Sequence, residues 1–317
     1  MTSPRNLLRE SLRLAANPWL LLTEVGWRWG FGLGTCVLLF AAWLRVFGAV
    51  AITEQDVAAL SSHDPTLIAG ALLHVLQETG PDLLAASFIV VPAALVLWVA
   101  LATFGRLATL ELLLPGSPRN AASFAGVLAT NIFRALWTVG VFIGCLLTLG
   151  TASFISLRFS HNHEEPNLAV YFVLIAIALP LEAVLWAAVN WFFSLTPIFS
   201  VREGCGPFAA AKQALHAIRG ERREFFSVSG QYGSLRLGAL LALLALCGTL
   251  GAAAGVAGGR RGVVVVMVVL SLAYFVVADW LYLARMVAYI DRLREPIIAF
   301  VVHEAPAVNE DTSPQAL

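Results

Sequence analysis

Charge is what this chain has least of. Only 13% of its 317 residues are charged, about half the share of a soluble domain. Lysine is all but missing: 19 of the 20 basic residues are arginine, and Lys212 is the exception. A hydrophobic content of 59% and a mean hydropathy of +0.81 exclude a water-soluble globule. Twenty acidic residues balance the 20 basic ones, so no net field draws nucleic acid. The four cysteines give no disulfide framework; Cys36, Cys145 and Cys247 fall inside apolar stretches and Cys205 in a loop. The first 28 residues hold no short apolar core followed by a small-residue cleavage site, so the first span is expected to act as an uncleaved anchor. There is no phosphate loop, no Gly-x-Ser-x-Gly elbow and no His-Glu-x-x-His helix. No spacing of Ser, His and Asp nominates a triad, so an enzyme is not expected. The apolar stretches contain no histidine, which leaves haem without an axial ligand, and no cofactor is expected.

What the chain has instead is six long apolar stretches, at 31–52, 83–104, 135–157, 168–201, 237–257 and 262–284. Together they carry three charged side chains, Arg45, Glu182 and Asp279. A helix needs roughly 20 residues to cross a ~30 Å hydrocarbon core. Short of a closed barrel, only helices satisfy every backbone group there. The expected fold is therefore an all-α integral membrane protein, a six-transmembrane-helix bundle over 29–299. The fourth stretch would span ~50 Å as one helix at 1.5 Å per residue. Pro180 is expected to kink it and Pro197 to mark its exit, so that the crossing itself covers 168–197; Pro92 should kink the second span. Six spans put 16 basic residues on the side of the termini and four on the other. Arginine and lysine are retained inside, so both termini are expected to be cytoplasmic, in a bacterial cytoplasmic (inner) membrane.

Amphipathic pieces flank the spans. Within 1–28, Ser3-Pro4 opens a helix that Asn17-Pro18 closes. Leu7, Leu8, Ser11, Leu12 and Ala15 share one face, and Arg5, Arg9 and Arg13 the other. This helix either lies on the inner leaflet with its arginines at anionic headgroups or packs its apolar face on the bundle. Asp64-Pro65 begins a second amphipathic helix, expected to end at Gly80-Pro81. A third runs from Pro207 to Arg219, with Phe208, Ala211, Leu215 and Ile218 along one face. The segment 300–317, rich in Pro, Glu, Asp and Ser, reads as a disordered tail.

Charge inside a span costs at least ~2.5 kcal/mol on insertion scales, so the intramembrane polar groups come first as functional candidates. They are Glu182 and Asp279, with Asn190, Arg134, Arg285 and Glu111 as companions. They form either a proton or ion relay or a polar substrate cavity, or ion pairs of Glu182 and Asp279 with arginines such as Arg134 and Arg285 that fix helix register, or the two carboxylates reach interfacial water. His161, His163, Glu164 and Glu165 in the loop before the fourth span are ligand-type side chains. No matching cluster occurs elsewhere, and no metal is expected. Gly26, Gly30 and Gly34, Gly140 and Gly144, and Gly251, Gly255 and Gly259 recur at spacing four. Such stripes let helix backbones approach, within one chain or between copies alike.

Around residues 190–230 the chain reads FFSLTPIFSVREGCGPFAAAKQALHAIRGERREFF. An apolar helix with a Pro (Pro197), a Glu-Gly turn (Glu203-Gly204) and an Ala-rich helix closed by basic residues follow one another. This resembles the membrane domain of bacterial glycerophosphodiester phosphodiesterases and related multi-span proteins. In that group catalysis belongs to a separate soluble domain, so the resemblance implies a stand-alone membrane domain and carries over no catalytic residue. The residues themselves point to a non-enzymatic protein whose partners are membrane lipids or other membrane proteins. The alternative is a small transporter or channel built on Glu182 and Asp279.

Overall fold

The computed structural model describes residues 4–48, 53–62, 64–160 and 167–304, and every regular element among them is an α-helix. They are α1 (Pro4–Ala15), α2 (Pro18–Phe47), α3 (Glu54–Leu60), α4 (Pro65–Leu113), α5 (Ala121–Arg158), α6 (Leu168–Glu203), α7 (Pro207–Gly220) and α8 (Arg222–Glu304). Gly259, at φ 58°, breaks α8 into two limbs. Among the described residues six segments are long and apolar enough to cross a membrane: Pro18–Val46, Gln77–Leu113, Ala121–Arg158, Leu168–Glu203, Arg222–Val256 and Gly259–Leu293. No more than 11% of any of their apolar windows is buried by protein. That much uncovered apolar helix is stable only with lipid around it, and the chain is a multi-pass membrane protein.

The chain divides into two compact units, 26–215 and a second made of 1–25 with 216–317. In the first, α4, α5 and α6 pack together, α3 packs on α4, and α2 reaches α4 where Trp27 lies against Gly105 and Leu97 against Gly34. The outer surface is apolar, and the interior mixes apolar side chains such as Leu110, Val127 and Ile198 with polar ones. Phe88, Val96 and Leu181 point outward, whereas Thr103, Arg106, Thr109, Thr130, Asn131, Ser194, Thr196 and Ser200 are buried. Polar side chains serve as glue between membrane helices, because lipid offers them no partner. Asn131 on α5 donates to Thr103 Oγ1 on α4 at 3.1 Å.

Proline does not end these helices. The expected stop at Gly80-Pro81 is absent, and α4 runs through Pro81 and Pro92. α6 likewise passes Pro180 and Pro197. An interior proline forfeits one backbone bond, whereas stopping the helix orphans about four N–H and four C=O groups, a far worse trade in lipid. Near Pro197 two hydroxyls bond back to their own helix, Ser194 to Trp191 O at 2.6 Å and Thr196 to Phe192 O at 3.2 Å. The true exit of α6 is Gly204, left-handed at φ 61°. A Cβ there would meet Pro118 at 2.7 Å and Asn120 Nδ2 at 2.8 Å, so glycine is required on both counts. Asn120 caps α5 and also donates to Gly204 O at 3.0 Å, tying the two helix ends together.

In the second unit the limbs of α8 lie antiparallel. Phe225 stacks on Tyr289 at 5.6 Å, and Arg292 pairs with Glu224 at 3.1 Å. Near the turn, Gly251 and Gly255 face Met267 and Val263, so this glycine stripe serves packing within the chain. Helix α1 docks on α8. Ser11 donates to Leu8 O at 3.0 Å, which leaves its oxygen to accept from the Tyr232 hydroxyl, and Trp280 Nε1 donates to Leu12 O at 3.2 Å. Of the two settings for the apolar face of α1, the structure places Ser11, Leu12 and Ala15 against protein, with Arg13 exposed. Helix α8 continues to Glu304, past the expected start of the tail at 300; residues 305–317 lie outside the described residues.

Candidate functional site: the α5–α6 seam

Antiparallel packing of α5 and α6 sets Glu182 of α6 against one turn of α5. The Thr148 hydroxyl donates to Glu182 Oε1, and the Cys145 thiol, a weak donor, also faces the carboxylate. Gly144 lies under it: a Cβ there would stand 3.9 Å from Oε1. Oε2 is enclosed and has no hydrogen-bond partner among the described residues. Among the described residues no ion pair to Glu182 is seen. Directly beyond Thr148 a groove of about 280 Å³ runs along the seam, lined by Leu147, Thr148, Thr151, Ala152, Ile155, Leu174 and Ala178. Leu174 and Ala178 lie two turns and one turn before Glu182 on α6, and the Glu182 side chain is not part of the groove lining.

The other candidates are dispersed. Asp279 is buried in the second unit, one residue before the Trp280 that holds α1. Arg285, also there, lies over the Tyr282 ring at 5.1 Å with its Nε unbonded. In the first unit Arg134 lies over Trp98 at 5.7 Å, and Asn190 is half-buried on α6. Glu111 pairs with the exposed Arg119 at 3.2 Å beside the α4–α5 turn. His161, His163, Glu164 and Glu165 lie outside the described residues, among which no group of three metal-ligating side chains converges. Burial and the neighbouring Glu203 carboxylate push the Cys205 thiol up, which makes it a poor nucleophile.

Two polar features were not legible as sites. Arg106 is buried and lies over Trp27 at 5.9 Å inside α4, although its place in the sequence reads as a residue following the span. Thr148 and Cys145 carry no motif, yet their spacing puts both on the face of α5 that meets the fourth span. Comparison of the chain with protein-family models, curated proteins and solved structures returned no match. The phosphodiesterase resemblance rests on residues 190–230 alone.

Proposed function

We propose that the chain is a non-enzymatic protein of a bacterial cytoplasmic membrane, both termini inside, that works by binding lipid or membrane-embedded partners as an envelope or assembly factor. The observation that supports this reading most is α7. Its Ala210 and Ala214 are buried, while Phe208 is 81% exposed and Leu215 40% exposed, with Lys212 exposed between them. An apolar stripe edged by a cation, outside the spans, suits the headgroup boundary of a leaflet or an apolar partner face. The basic residues of 202–236 favour the cytoplasmic leaflet, whose anionic lipids attract them. In vesicles containing anionic lipid, Phe208→Asp with Leu215→Asp should weaken the protection of α7 from proteolysis; unchanged protection counts against the reading.

The unpartnered Oε2 of Glu182 favours a second reading, a small transporter or channel that uses intramembrane carboxylates such as Glu182. Reconstituted liposomes decide between the two. Solute or proton flux that Glu182→Gln or Asp279→Asn abolishes would replace the binding reading, and a tight membrane would remove the transporter.

A further inference from the structure

We propose that a cavity where α4, α5 and α6 end holds the phosphoethanolamine headgroup of a membrane lipid. The inference rests on the lipid-binding reading and narrows it to one headgroup. Two apolar segments finish here, at Leu113 and Glu203, and a third begins at Ala121. Span ends lie at the headgroup boundary, so the cavity, of about 190 Å³, sits at that level. Leu107 and Val201 form its apolar wall, and Glu111, Ser117 and Arg119 its polar one. The groups that would hold the ligand are therefore themselves walls of the cavity.

Its two charges stand at opposite poles. Glu111 lies in the last turn of α4 and Val201 in that of α6, where helix ends are negative; Arg119 and Ala121 flank the positive start of α5. A carboxylate at a helix C-terminus is misplaced unless a cation comes with it. Arg119 Nη2 reaches Glu111 Oε2 at 3.2 Å, but the arginine side chain is 76% exposed, and so exposed a bridge holds weakly. That bridge uses one oxygen of the carboxylate and one nitrogen of the guanidinium. A zwitterion satisfies both groups more fully: its ammonium donates to Glu111 and its phosphate accepts from Arg119. The wall between them is fixed, because Asn120 Oδ1 accepts from Ser123 N at 2.8 Å and its Nδ2 donates to Gly204 O at 3.0 Å. A purely anionic headgroup brings Glu111 no cation, and choline brings it no N–H.

The test uses the full chain in nanodiscs of phosphatidylethanolamine, phosphatidylcholine and phosphatidylglycerol in equal parts, with identical acyl chains. After the outer lipid shell is stripped, native mass spectrometry should find phosphatidylethanolamine retained at least about fivefold over either rival. Glu111→Gln should erase the preference over phosphatidylcholine, and Glu111→Asp should keep it. Ala121→Phe fills the cavity without changing either charge and should also erase the preference. Phe208→Asp with Leu215→Asp should lower the lipid total but leave the preference standing, which separates this cavity from the α7 face. Lipid carried with no headgroup preference, or a preference that Glu111→Gln or Ala121→Phe leaves intact, would overturn this proposal alone. A chain that carries no lipid would overturn the lipid-binding reading with it. Displacement by free O-phosphoethanolamine at the lipid's own concentration would assign the cavity to a soluble zwitterion and overturn the lipid.

Discussion

Gly126→Ala probes a close approach of α5 to α6. A Cβ on Gly126 would fall 2.1 Å from Ser200 Oγ, 2.9 Å from Ser200 Cβ and 3.0 Å from Cys205 O. Ser200 is fully buried, so its side chain has little room to turn away. The helices must part by about 1 Å, which forfeits much of the dispersion contact along that stretch. Overpacking of this kind costs roughly 1–3 kcal/mol. Replacing glycine inside a helix also gains up to about 1 kcal/mol in propensity, so a reference is needed. Gly140, in the same helix, has nothing within 4 Å of its virtual Cβ. Gly140→Ala should therefore be neutral or stabilising, whereas Gly126→Ala should lose a net ~1–2 kcal/mol, or about five- to thirtyfold in the unfolding constant. Steric trapping or denaturant unfolding in bicelles reads both. Adding Ser200→Gly should relieve the clash, so the double-mutant cycle should couple the two sites by ~1 kcal/mol or more. If Gly126→Ala is as mild as Gly140→Ala, or if the cycle shows no coupling, the packing described for this seam is wrong.

Further outcomes follow from other contacts. Asn131→Ala should cost only ~0.6 kcal/mol, the usual worth of a hydrogen bond between membrane helices, because Thr103 keeps its bond to Val99 O at 2.6 Å; thermal unfolding in detergent measures it. Trp280→Phe or Tyr232→Phe removes one bond holding α1, worth ~0.5–1.5 kcal/mol. Tryptic cleavage after Arg13 should then quicken about two- to twelvefold, since cutting tracks the open population. Asp56 accepts from the Thr53 hydroxyl at 2.6 Å and its backbone N–H at 3.1 Å, with His74 Nδ1 at 3.2 Å. The Thr53 hydroxyl first, then its backbone N–H and His74, hold this carboxyl below its ordinary value of 3.8 against the opposing effect of burial. A depressed value stabilises the folded form above the ordinary one, and that stabilisation disappears as pH falls through the lower folded value. Hydrogen exchange in 53–60, corrected for intrinsic rates, should therefore rise below about pH 3.8 and become flat in Asp56→Asn.

Much of this fold is written in hydropathy, because lipid leaves the backbone no alternative to helix. The six spans, the Pro207 start of α7 and the Asn17-Pro18 break between α1 and α2 were readable from apolar runs and capping residues. The stops read from Gly80-Pro81 and Pro197 were not, since rules for proline drawn from water underrate the cost of orphaned backbone in lipid. The Glu182 cradle was partly readable. A short connection between spans three and four makes them antiparallel neighbours, so residues of α5 and α6 that sum to about 330 must face one another. Thr148 with Glu182 and Ala152 with Ala178 obey that sum. The burial of Arg106 beside Trp27 was out of reach, because it depends on which face of α2 meets α4, and periodicity along a uniformly apolar helix does not mark one.

Native mass spectrometry of the protein, released gently from its own membrane, tests the central claim most directly. A binding protein should emerge with stoichiometric lipid or a partner chain, and Phe208→Asp with Leu215→Asp should strip much of it away. A chain that emerges bare, or whose bound mass is indifferent to those substitutions, would contradict the account.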